Sequence, residues 1–364
     1  MRPRPRALAR RRWTSWGTGP LTARLTGAFG PLLFWVSTGL VLYRWLPESV
    51  VRGLGRFLYW IGIPLEIYAL SRHARFTWQV GLGPIAAIAA VVTGAVLMGI
   101  LWGLLRWRSP RQGTSPDPTT ASESAALDSN IAEVSGHSTE SWWWRSPSVG
   151  SAAIASMLGN TGFVGLALTP HLLDPGWMAL PVFYNLTQNV LGTYGLGVLV
   201  ASTFGNHGGD PERDRPWWQP LRDVVTVPSI WAFVLGTATQ PIPFSPWVEQ
   251  ALDAWVPLTI AIAFVLMGLR LSQLRDWRQL KPAIAPAFIK IFLVPLLAGL
   301  FATAAGLDGQ LRLAIVLMAG MPTAFAGLIL AEEYDLDRPM ISASIALSTL
   351  AILGTMPLWL WIWG

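Results

Sequence analysis

MLGNTGFVGLAL (residues 157–168) and MAGMPTAFAGLIL (residues 318–330) are near-copies of each other. With a one-residue gap opposite Pro322, they share Met, Gly, Thr, Phe, Gly, Leu and Leu in the same order. Both lie in long apolar segments, yet both are rich in Gly, Thr, Asn or Pro, which loosen a helix. Irregular backbone is tolerated at membrane depth only where it is buried in protein or lines a polar cavity. One break in each half of a membrane chain therefore predicts a binding site between the two breaks.

The composition indicates an integral membrane protein. Hydrophobic residues make up 52% of the 364 residues and charged residues only 13%, whereas soluble domains carry about 25% charged residues. The formal net charge is +6. However, the arginines lie in short loops and in a basic N-terminal tail, a pattern that encodes membrane topology. We therefore expect a lipid bilayer around the protein and no nucleic-acid partner.

Several chemistries are excluded by what the sequence lacks. It has no cysteine, which removes disulfides, thiolate metal ligands and cysteine nucleophiles. Its four histidines show no metal-ligand spacing. It contains no GxxxxGK[ST] loop for ATP and no HExxH or GxSxG constellation for hydrolysis. We expect no metal, no cofactor and no enzyme activity.

Ten apolar segments have roughly the length that crosses a membrane, for which about 20 helical residues are needed. Strand-like alternation of polar and apolar residues is absent, so we predict an all-α polytopic membrane protein with ten transmembrane helices. The segments lie near residues 28–45, 55–71, 78–106, 148–170, 177–203, 222–241, 249–269, 283–305, 311–332 and 340–362.

Polar stretches divide the chain into two halves. A basic N-terminal tail covers residues 1–27, and a central loop covers residues 204–221. Between them lies the first five-helix repeat, residues 28–203, which includes a polar loop at 108–147. The composition of that loop, rich in Ser, Thr, Asp, Glu and Pro, predicts disorder. The second five-helix repeat covers residues 222–364.

The two halves correspond beyond the repeated stretches. Each has a proline near the start of its first span (Pro31, Pro228) and Pro-Leu in its second (Pro64-Leu65, Pro257-Leu258). Repeats with an odd number of spans insert with opposite orientation, so we predict inverted repeats whose broken helices are spans four and nine.

Lysine and arginine counts predict the orientation. Loops after odd-numbered spans hold 15 of these residues and loops after even-numbered spans hold three. The positive-inside rule then puts both termini outside the cytoplasm. The N-terminal tail contradicts this assignment, with seven arginines before residue 25. We follow the loops, because their bias is repeated along the chain.

The last two spans carry a family pattern. The stretch MPTAFAGLILAEEYDLDRPMISASIALSTLAILGTMPLWLWI, residues 321–362, resembles the end of auxin efflux carrier family proteins, which include plant PIN-type carriers and bacterial malate and malonate permeases. GNTGFVGLAL (159–168) resembles the family's first crossover motif, and VPSIWAFVLG (227–236) the opening of its second half. VLMGLRL (265–271) and the spacing of Lys290 and Pro295 are also similar.

The resemblance, which extends from residue 28 onward, carries expectations about fold and function. It implies ten helices in two inverted repeats, with broken fourth and ninth helices in a transport domain that moves against a scaffold. Members of the family move organic anions such as indole-3-acetate, malate or malonate. The family usually has a proline two residues after the glycine of its first crossover; here Leu166 and Ala167 follow Gly165. Glycines must then loosen the first break.

The breaks supply the candidate substrate-binding residues. Asn160 offers an amide, and Thr161 and Thr323 offer hydroxyls. Gly162 loosens the first helix, and Pro322 keeps the second from closing its hydrogen-bond ladder. Half-helix N-termini carry roughly half a positive charge, which favours a carboxylate. The alternative is that small residues merely let helices pack closely.

Three further polar residues lie inside apolar spans. Lys290 is a candidate to attract the anion, to pair with a carboxylate, or to snorkel towards the interface. Glu66 is a candidate for proton coupling or for a structural pair with Lys290. Of the adjacent amides Gln188 and Asn189, at most one faces a given cavity, because neighbours on a helix point about 100° apart. We choose Asn189.

The leading hypothesis is a multi-pass secondary transporter of the cell membrane that moves small organic anions by an elevator-type motion of its crossover helices. A homodimer through scaffold helices is a further expectation. The alternatives are a sodium-coupled anion symporter of the bile-acid-carrier type and a transport-dead receptor. The first of these needs carboxylates and amides clustered near the crossing, where this chain has almost no acidic residues.

Overall fold

The computed structural model describes residues 21–73, 81–108, 146–205, 228–272 and 280–364. The predicted polar loop, the predicted central loop and most of the predicted N-terminal tail lie outside the described residues. Within the described residues the prediction of an all-helical chain is confirmed, since the only extended pairing is one isolated β-bridge.

The described residues form ten helical segments, which we number α1 to α10 in chain order. Five of them are divided into halves a and b. Their bounds are α1 Leu21–Leu42, α2a Glu48–Phe57, α2b Ile63–His73, α3 Leu82–Arg108, α4a Ser146–Met157, α4b Leu166–Leu172, α5a Ala179–Thr187, α5b Val198–Phe204, α6 Pro228–Ala238, α7 Pro246–Leu271, α8a Leu280–Phe288, α8b Val294–Ala304, α9a Gly309–Ala319, α9b Ala326–Glu333 and α10 Arg338–Trp363.

Wide π-helical turns occur at four points of this framework. They join the halves of α2 (Leu58–Gly62), α5 (Gln188–Gly197) and α8 (Ile289–Leu293), and one leads into α4b (Thr161–Gly165). Turns of this kind insert a residue into the helical ladder and often mark functional sites. The turn at Thr161–Gly165 lies within the first repeated stretch, residues 157–168.

Apolar helices of membrane-spanning length support a multi-pass membrane protein. Among the described residues, four helices are long and apolar enough to cross a bilayer: Leu82–Trp107, Pro246–Leu271, Leu280–Ala304 and Arg338–Trp363. Large apolar side chains point outward from three of them, as at Ile85, Phe301 and Trp361. The other segments are shorter or interrupted, so ten crossings in inverted repeats stay a prediction.

Helices α1, α2, α6 and α7 form one group. Helix α1 packs along α7, and α6 packs along α2b. The first pair is in backbone contact at two glycines. A Cβ atom on Gly268 would lie 2.1 Å from the carbonyl oxygen of Val36, and one on Gly39 would lie 2.2 Å from that of Val265. Neither position has room for a side chain, so these glycines fix the distance between the two helices.

Helices α3, α4, α5, α8, α9 and α10 form the crossing group. Helix α3 packs on α4a and α5a, and α8 packs on α9a and α10. In the same way α5a packs on α9a, and α10 packs on α4a. A shift of each helix number by five converts the α3–α4a contact into α8–α9a and the α5a–α9a contact into α10–α4a. The same shift converts α1–α7 into α6–α2b.

We predict that Gly268→Ala destabilises the protein. Its methyl group cannot fit between α1 and α7, and overpacking of this kind costs about 1–3 kcal/mol. Gly103→Ala is the matched control, because a Cβ atom at Gly103 meets nothing within 4 Å and alanine favours a helix by about 0.5–1 kcal/mol. Thermal unfolding in detergent should give a lower midpoint for Gly268→Ala and an unchanged or higher one for Gly103→Ala. Equal midpoints would contradict the close packing.

Candidate functional site

The two repeated stretches are interrupted and paired with each other. Helix α4a ends at Met157 and α9a at Ala319, and the extended backbone that follows each forms an antiparallel bridge between Gly159 and Thr323. The amide of Asn160 donates to the carbonyl of Pro322 (2.6 Å), and that of Ala324 donates to the carbonyl of Leu158 (2.9 Å). Each break therefore satisfies backbone groups of the other. We call residues 158–161 and 320–324 the crossing.

The crossing lies in the protein interior. Leu158 and Thr323 are fully buried, and Thr161 and Asn160 are 1% and 5% exposed. Open backbone at this depth would be costly in lipid, and burial within the protein is the condition under which it is tolerated. The residue types that mark the breaks in the sequence therefore occupy one enclosed centre.

Asn160 shapes the start of the helix that follows the first break. Its side-chain Oδ1 accepts a hydrogen bond from the amide of Phe163 at 3.2 Å. This is an N-cap interaction, which satisfies a donor that the first helical turn leaves free. The amide oxygen is thus occupied by the backbone, and the Nδ2 group is the part of the Asn160 side chain that remains for a ligand.

A chain of side-chain hydrogen bonds joins α5 to the first break. Thr161 donates from Oγ1 to Oδ1 of Asn185 at 2.8 Å. Nε2 of Gln188 donates to the carbonyl of Gly159 and also to Oγ1 of Thr161, the latter at 3.2 Å. Asn189 donates from Nδ2 to Oδ1 of Asn185 at 3.1 Å. The amides of α5 thereby hold the first break in place.

This arrangement changes the assignment of the amides on α5. The sequence predicts Asn189 at the site, but Gln188 contacts the break directly and is 2% exposed. Asn189 is joined to the crossing through Asn185, a residue that the sequence did not predict at the site. The physical reason is the π-helical turn that begins at Gln188, because the 100° spacing assumed for neighbours holds for an α-helix. The i, i+3 spacing of Asn185 and Gln188 was the signal that could have indicated a shared face.

The second break is held by α4a and α10. The amide of Thr323 donates to Oγ of Ser348 at 3.0 Å, and its Oγ1 donates to the carbonyl of Ala155 at 2.9 Å. Ser348 is fully buried and was not predicted at the site. A signal is present in the sequence, since Ser344 and Ser348 are four residues apart and share one helix face in an apolar span.

Lys290 is buried at the crossing. Its side chain is 1% exposed, and Nζ donates to the carbonyl of Ala319 at 2.6 Å. That carbonyl ends α9a, where helical carbonyls lack partners and the helix dipole is negative. Nζ is also close to the first break, since a Cβ atom on Gly159 would lie 3.0 Å from it. The snorkelling interpretation of Lys290 is therefore wrong.

The proposed ion pair between Lys290 and Glu66 is also absent. Among the described residues, the carboxylate within ion-pair distance of a basic side chain is Glu249, which binds Arg72 at 2.7 Å. Glu66 is 2% exposed, and its Oε1 has no hydrogen-bond partner in the described part of the chain. Of the two interpretations of Glu66, the structural pair is contradicted and proton coupling stays a prediction.

Gly162 provides space rather than a binding group. A Cβ atom at this position would lie 3.3 Å from Oδ1 of Asn185 and 3.8 Å from Cδ1 of Ile63. The missing side chain lets the amide of Asn185 approach Thr161. Ile63 and Glu66 are three residues apart in α2b, so they share a helix face. The buried carboxyl of Glu66 is therefore on the side of α2b that faces the first break.

Some buried polar atoms at the crossing lack partners. Within the described residues these include Nδ2 of Asn185 and Oε1 of Gln188. Buried polar groups in native proteins are nearly always hydrogen-bonded, so such exceptions need an explanation. A polar ligand or water that enters the crossing would satisfy them. Metal binding has no such support, because the described residues contain no cluster of three or more His, Cys, Asp or Glu side chains.

The fold and site define a polytopic helical membrane protein whose buried polar centre is built by two broken helices. Comparison with known families agrees, because residues 217–360 match the model of a family described as Membrane transport protein. This match lies in the second half of the chain, and it agrees with the resemblance to the auxin efflux carriers.

Similar proteins have been found in archaea and bacteria. An uncharacterized transporter of Methanothermobacter thermautotrophicus is 26% identical over 217 residues, which cover 57% of this chain and 65% of the relative. One of Methanocaldococcus jannaschii is 26% identical over 216 residues, or 59% of this chain and 68% of the relative. The transporter YfdV of Escherichia coli is 33% identical over 75 residues, or 21% and 24%. The chain thus spans slightly less than two thirds of the first of these relatives.

We predict that Gln188→Ala is more harmful than Asn189→Ala. The first change leaves the buried carbonyl of Gly159 without its side-chain donor, whereas the second removes a more peripheral bond. A lost partner of this kind costs about 1–2 kcal/mol, which corresponds to a few degrees in the midpoint of thermal unfolding. The two variants should be compared in the same detergent. An equal or larger loss in Asn189→Ala would show that Gln188 does not hold the break.

Proposed function

We propose that the protein is a secondary transporter that moves small organic anions across the cell membrane. The observation that carries this proposal is the crossing, in which two broken helices from opposite halves of the chain meet in the buried centre. Transporters commonly place their substrate at such a point, where half-helix ends and irregular backbone face a cavity. The names of the relatives favour transport over an enzymatic reaction.

The architecture we propose is two inverted five-helix repeats. The matched contacts of the two halves support it, because α1–α7 and α6–α2b exchange when each helix is shifted by five places, as do α3–α4a and α8b–α9a. The bridge between Gly159 and Thr323 also joins equivalent stretches of the two halves. A twofold axis in the membrane plane would pass close to this bridge.

The charge at the crossing favours an anion. Nζ of Lys290 is buried beside the first break, and the helical runs that start at Thr161 and Ala326 direct the positive ends of their dipoles to the crossing. Carboxylates bind well to such groups because charged hydrogen bonds are the stronger ones. The Nδ2 groups of Asn160 and Asn185 add neutral donors. We assign Asn160, Thr161 and Thr323 to the substrate site and Pro322 to keeping the break open.

Lys290 also argues against the sodium-coupled alternative. Hard cations need several oxygen ligands, and the carbonyl of Ala319 at the crossing already accepts a hydrogen bond from Nζ of Lys290. The side chain of Lys290 therefore occupies an oxygen that a sodium ion would need. We propose transport that does not depend on sodium, and the receptor alternative is left as an outcome of the transport assay.

The setting we propose is the cell membrane, with both termini outside the cytoplasm and a homodimer formed through α1, α2, α6 and α7. The lipid-facing side of α1 supports a contact between copies, because Leu33, Phe34 and Val41 are 49%, 61% and 55% exposed. The motion we propose carries the crossing group past the other group, as in an elevator.

We predict that purified protein in liposomes accumulates one or more carboxylates from a radiolabelled panel that includes malonate, malate and indole-3-acetate. Replacing external sodium with potassium should leave the rate unchanged. Asn160→Ala and Pro322→Ala should lower uptake at least tenfold, because they remove a substrate donor and let the second helix close, each worth more than about 1.4 kcal/mol.

Pro357→Ala is the matched control for Pro322→Ala, since Pro357 lies inside the intact helix α10. It should retain uptake near the wild-type rate. Equal uptake by wild type and both crossing variants would show that the site is placed wrongly. Failure of the wild-type protein to move any carboxylate would overturn the proposed function and favour a receptor.

We predict that Glu66→Gln abolishes the response of uptake to a pH gradient while leaving exchange of labelled for unlabelled substrate intact. The amide keeps the shape of the side chain but cannot release a proton, so only the coupled step is lost. Glu333→Gln, at an exposed helix end, is the control and should keep the response. If Glu66→Gln responds to the gradient like wild type, Glu66 is not the coupling residue.

A further inference from the structure

A second polar feature lies outside the crossing, in a small cavity between the two helix groups. The cavity has a volume of about 60 Å³ and lies between the end of α7, the start of α9b and the middle of α10. Its walls include Arg270 from α7, Phe325 and Leu328 near the start of α9b, and Ser342 and Thr349 from α10. A cavity needs about 10–15 Å³ of such space to hold one water molecule, so this cavity has room for a small polar group.

The cavity leads towards the second break. Phe325 follows Thr323 by two residues, and Thr349 follows Ser348, whose hydroxyl accepts the hydrogen bond from the amide of Thr323. One wall therefore belongs to the crossing group and the other to α7. A ligand that moves from the solvent to the crossing between the two groups would pass this cavity.

Arg270 supplies the positive charge of the cavity wall. It is half-buried, and Nη2 of its guanidinium lies beside α2a, 3.9 Å from the position of a Cβ atom on Gly55. Glu332 and Glu48 interact with it electrostatically and are both exposed. The guanidinium therefore lies near two exposed carboxylates and near Arg52, which is also exposed.

We propose that Arg270 is the entry residue of the transport route, which binds the carboxylate of an organic anion before it reaches the crossing. The inference rests on the proposed function. Arginine suits this role because its planar guanidinium donates two parallel hydrogen bonds to one carboxylate. The substrate carboxylate takes over interactions that Glu332 and Glu48 provide in its absence. Ser342 and Thr349 offer hydroxyls on the opposite wall.

Chemical modification of the wild-type protein tests the binding directly. Phenylglyoxal reacts with accessible guanidinium groups, and mass spectrometry of the peptides reports the rate at Arg270 and at Arg52. Malonate and benzoate are the probes, with chloride at equal ionic strength as the reference. At least one of the two carboxylates should slow the reaction of Arg270 about tenfold at saturation, because a carboxylate that forms a charged hydrogen-bonded pair shields the guanidinium from the reagent. Arg52, an exposed arginine at the same end, should react at an unchanged rate.

Uptake kinetics in liposomes give the second measurement. Arg270→Gln should raise KM about tenfold with little change in the maximal rate, since it removes an interaction made on entry. Arg270→Lys should restore part of the affinity, because it keeps the charge without the planar fork. Arg52→Gln is the matched control and should leave KM unchanged.

The outcomes separate this inference from the proposed function. If carboxylates are transported but neither slow the modification of Arg270 nor depend on it for KM, Arg270 is not the entry residue. An equal effect at Arg52 would reduce the finding to general surface charge and would also overturn the inference. If Arg270 is protected but no carboxylate is transported, the binding role holds and the proposed transport function fails.

Discussion

The pair of backbone hydrogen bonds between the two breaks is the constraint on which the rest of the structure depends. Breaking a helix inside a membrane protein leaves amides and carbonyls without partners, and each costs about 1–3 kcal/mol if it stays unpaired. Here Asn160 pairs with Pro322, and Ala324 pairs with Leu158. The two defects offset each other only when they are brought together, so the fold must place α4 and α9 in contact at this level.

The helices around the crossing satisfy the groups that this exchange leaves over. Gln188 donates a hydrogen bond to the carbonyl of Gly159, and Ser348 accepts one from the amide of Thr323. Lys290 donates to the carbonyl that ends α9a. Each of these side chains comes from a different helix, α5, α10 and α8. Polar residues in apolar spans therefore contribute to one buried centre, where Nδ2 of Asn185 and Oε1 of Gln188 lack partners within the described residues.

The sequence predicts the breaks but not the whole site. Gly159 and Thr161 could be identified because the repeat marks them twice, as Gly320 and Thr323 in the second stretch. Pro322 has no counterpart, but it could be identified because proline breaks the local hydrogen-bond ladder. The choice of Asn189 over Gln188 depended on α-helical spacing, and the π-helical turn that begins at Gln188 depends on contacts with other helices. The position of the Lys290 side chain likewise depends on its contact with the end of α9a, which is distant in the sequence. No local sequence pattern specifies that contact.

The same hydrogen bonds indicate which parts can move. Separating α4 from α9 would leave four backbone groups of the crossing without partners, so we propose that these two helices move together. The boundary between the crossing group and the other four helices is filled by apolar side chains such as Ile67, Val164 and Phe264. Apolar contacts are non-directional, so one apolar surface can slide past another and form equivalent contacts after the shift. The motion that we propose is therefore a movement of the intact crossing group along this boundary, which leaves the hydrogen bonds of the crossing in place.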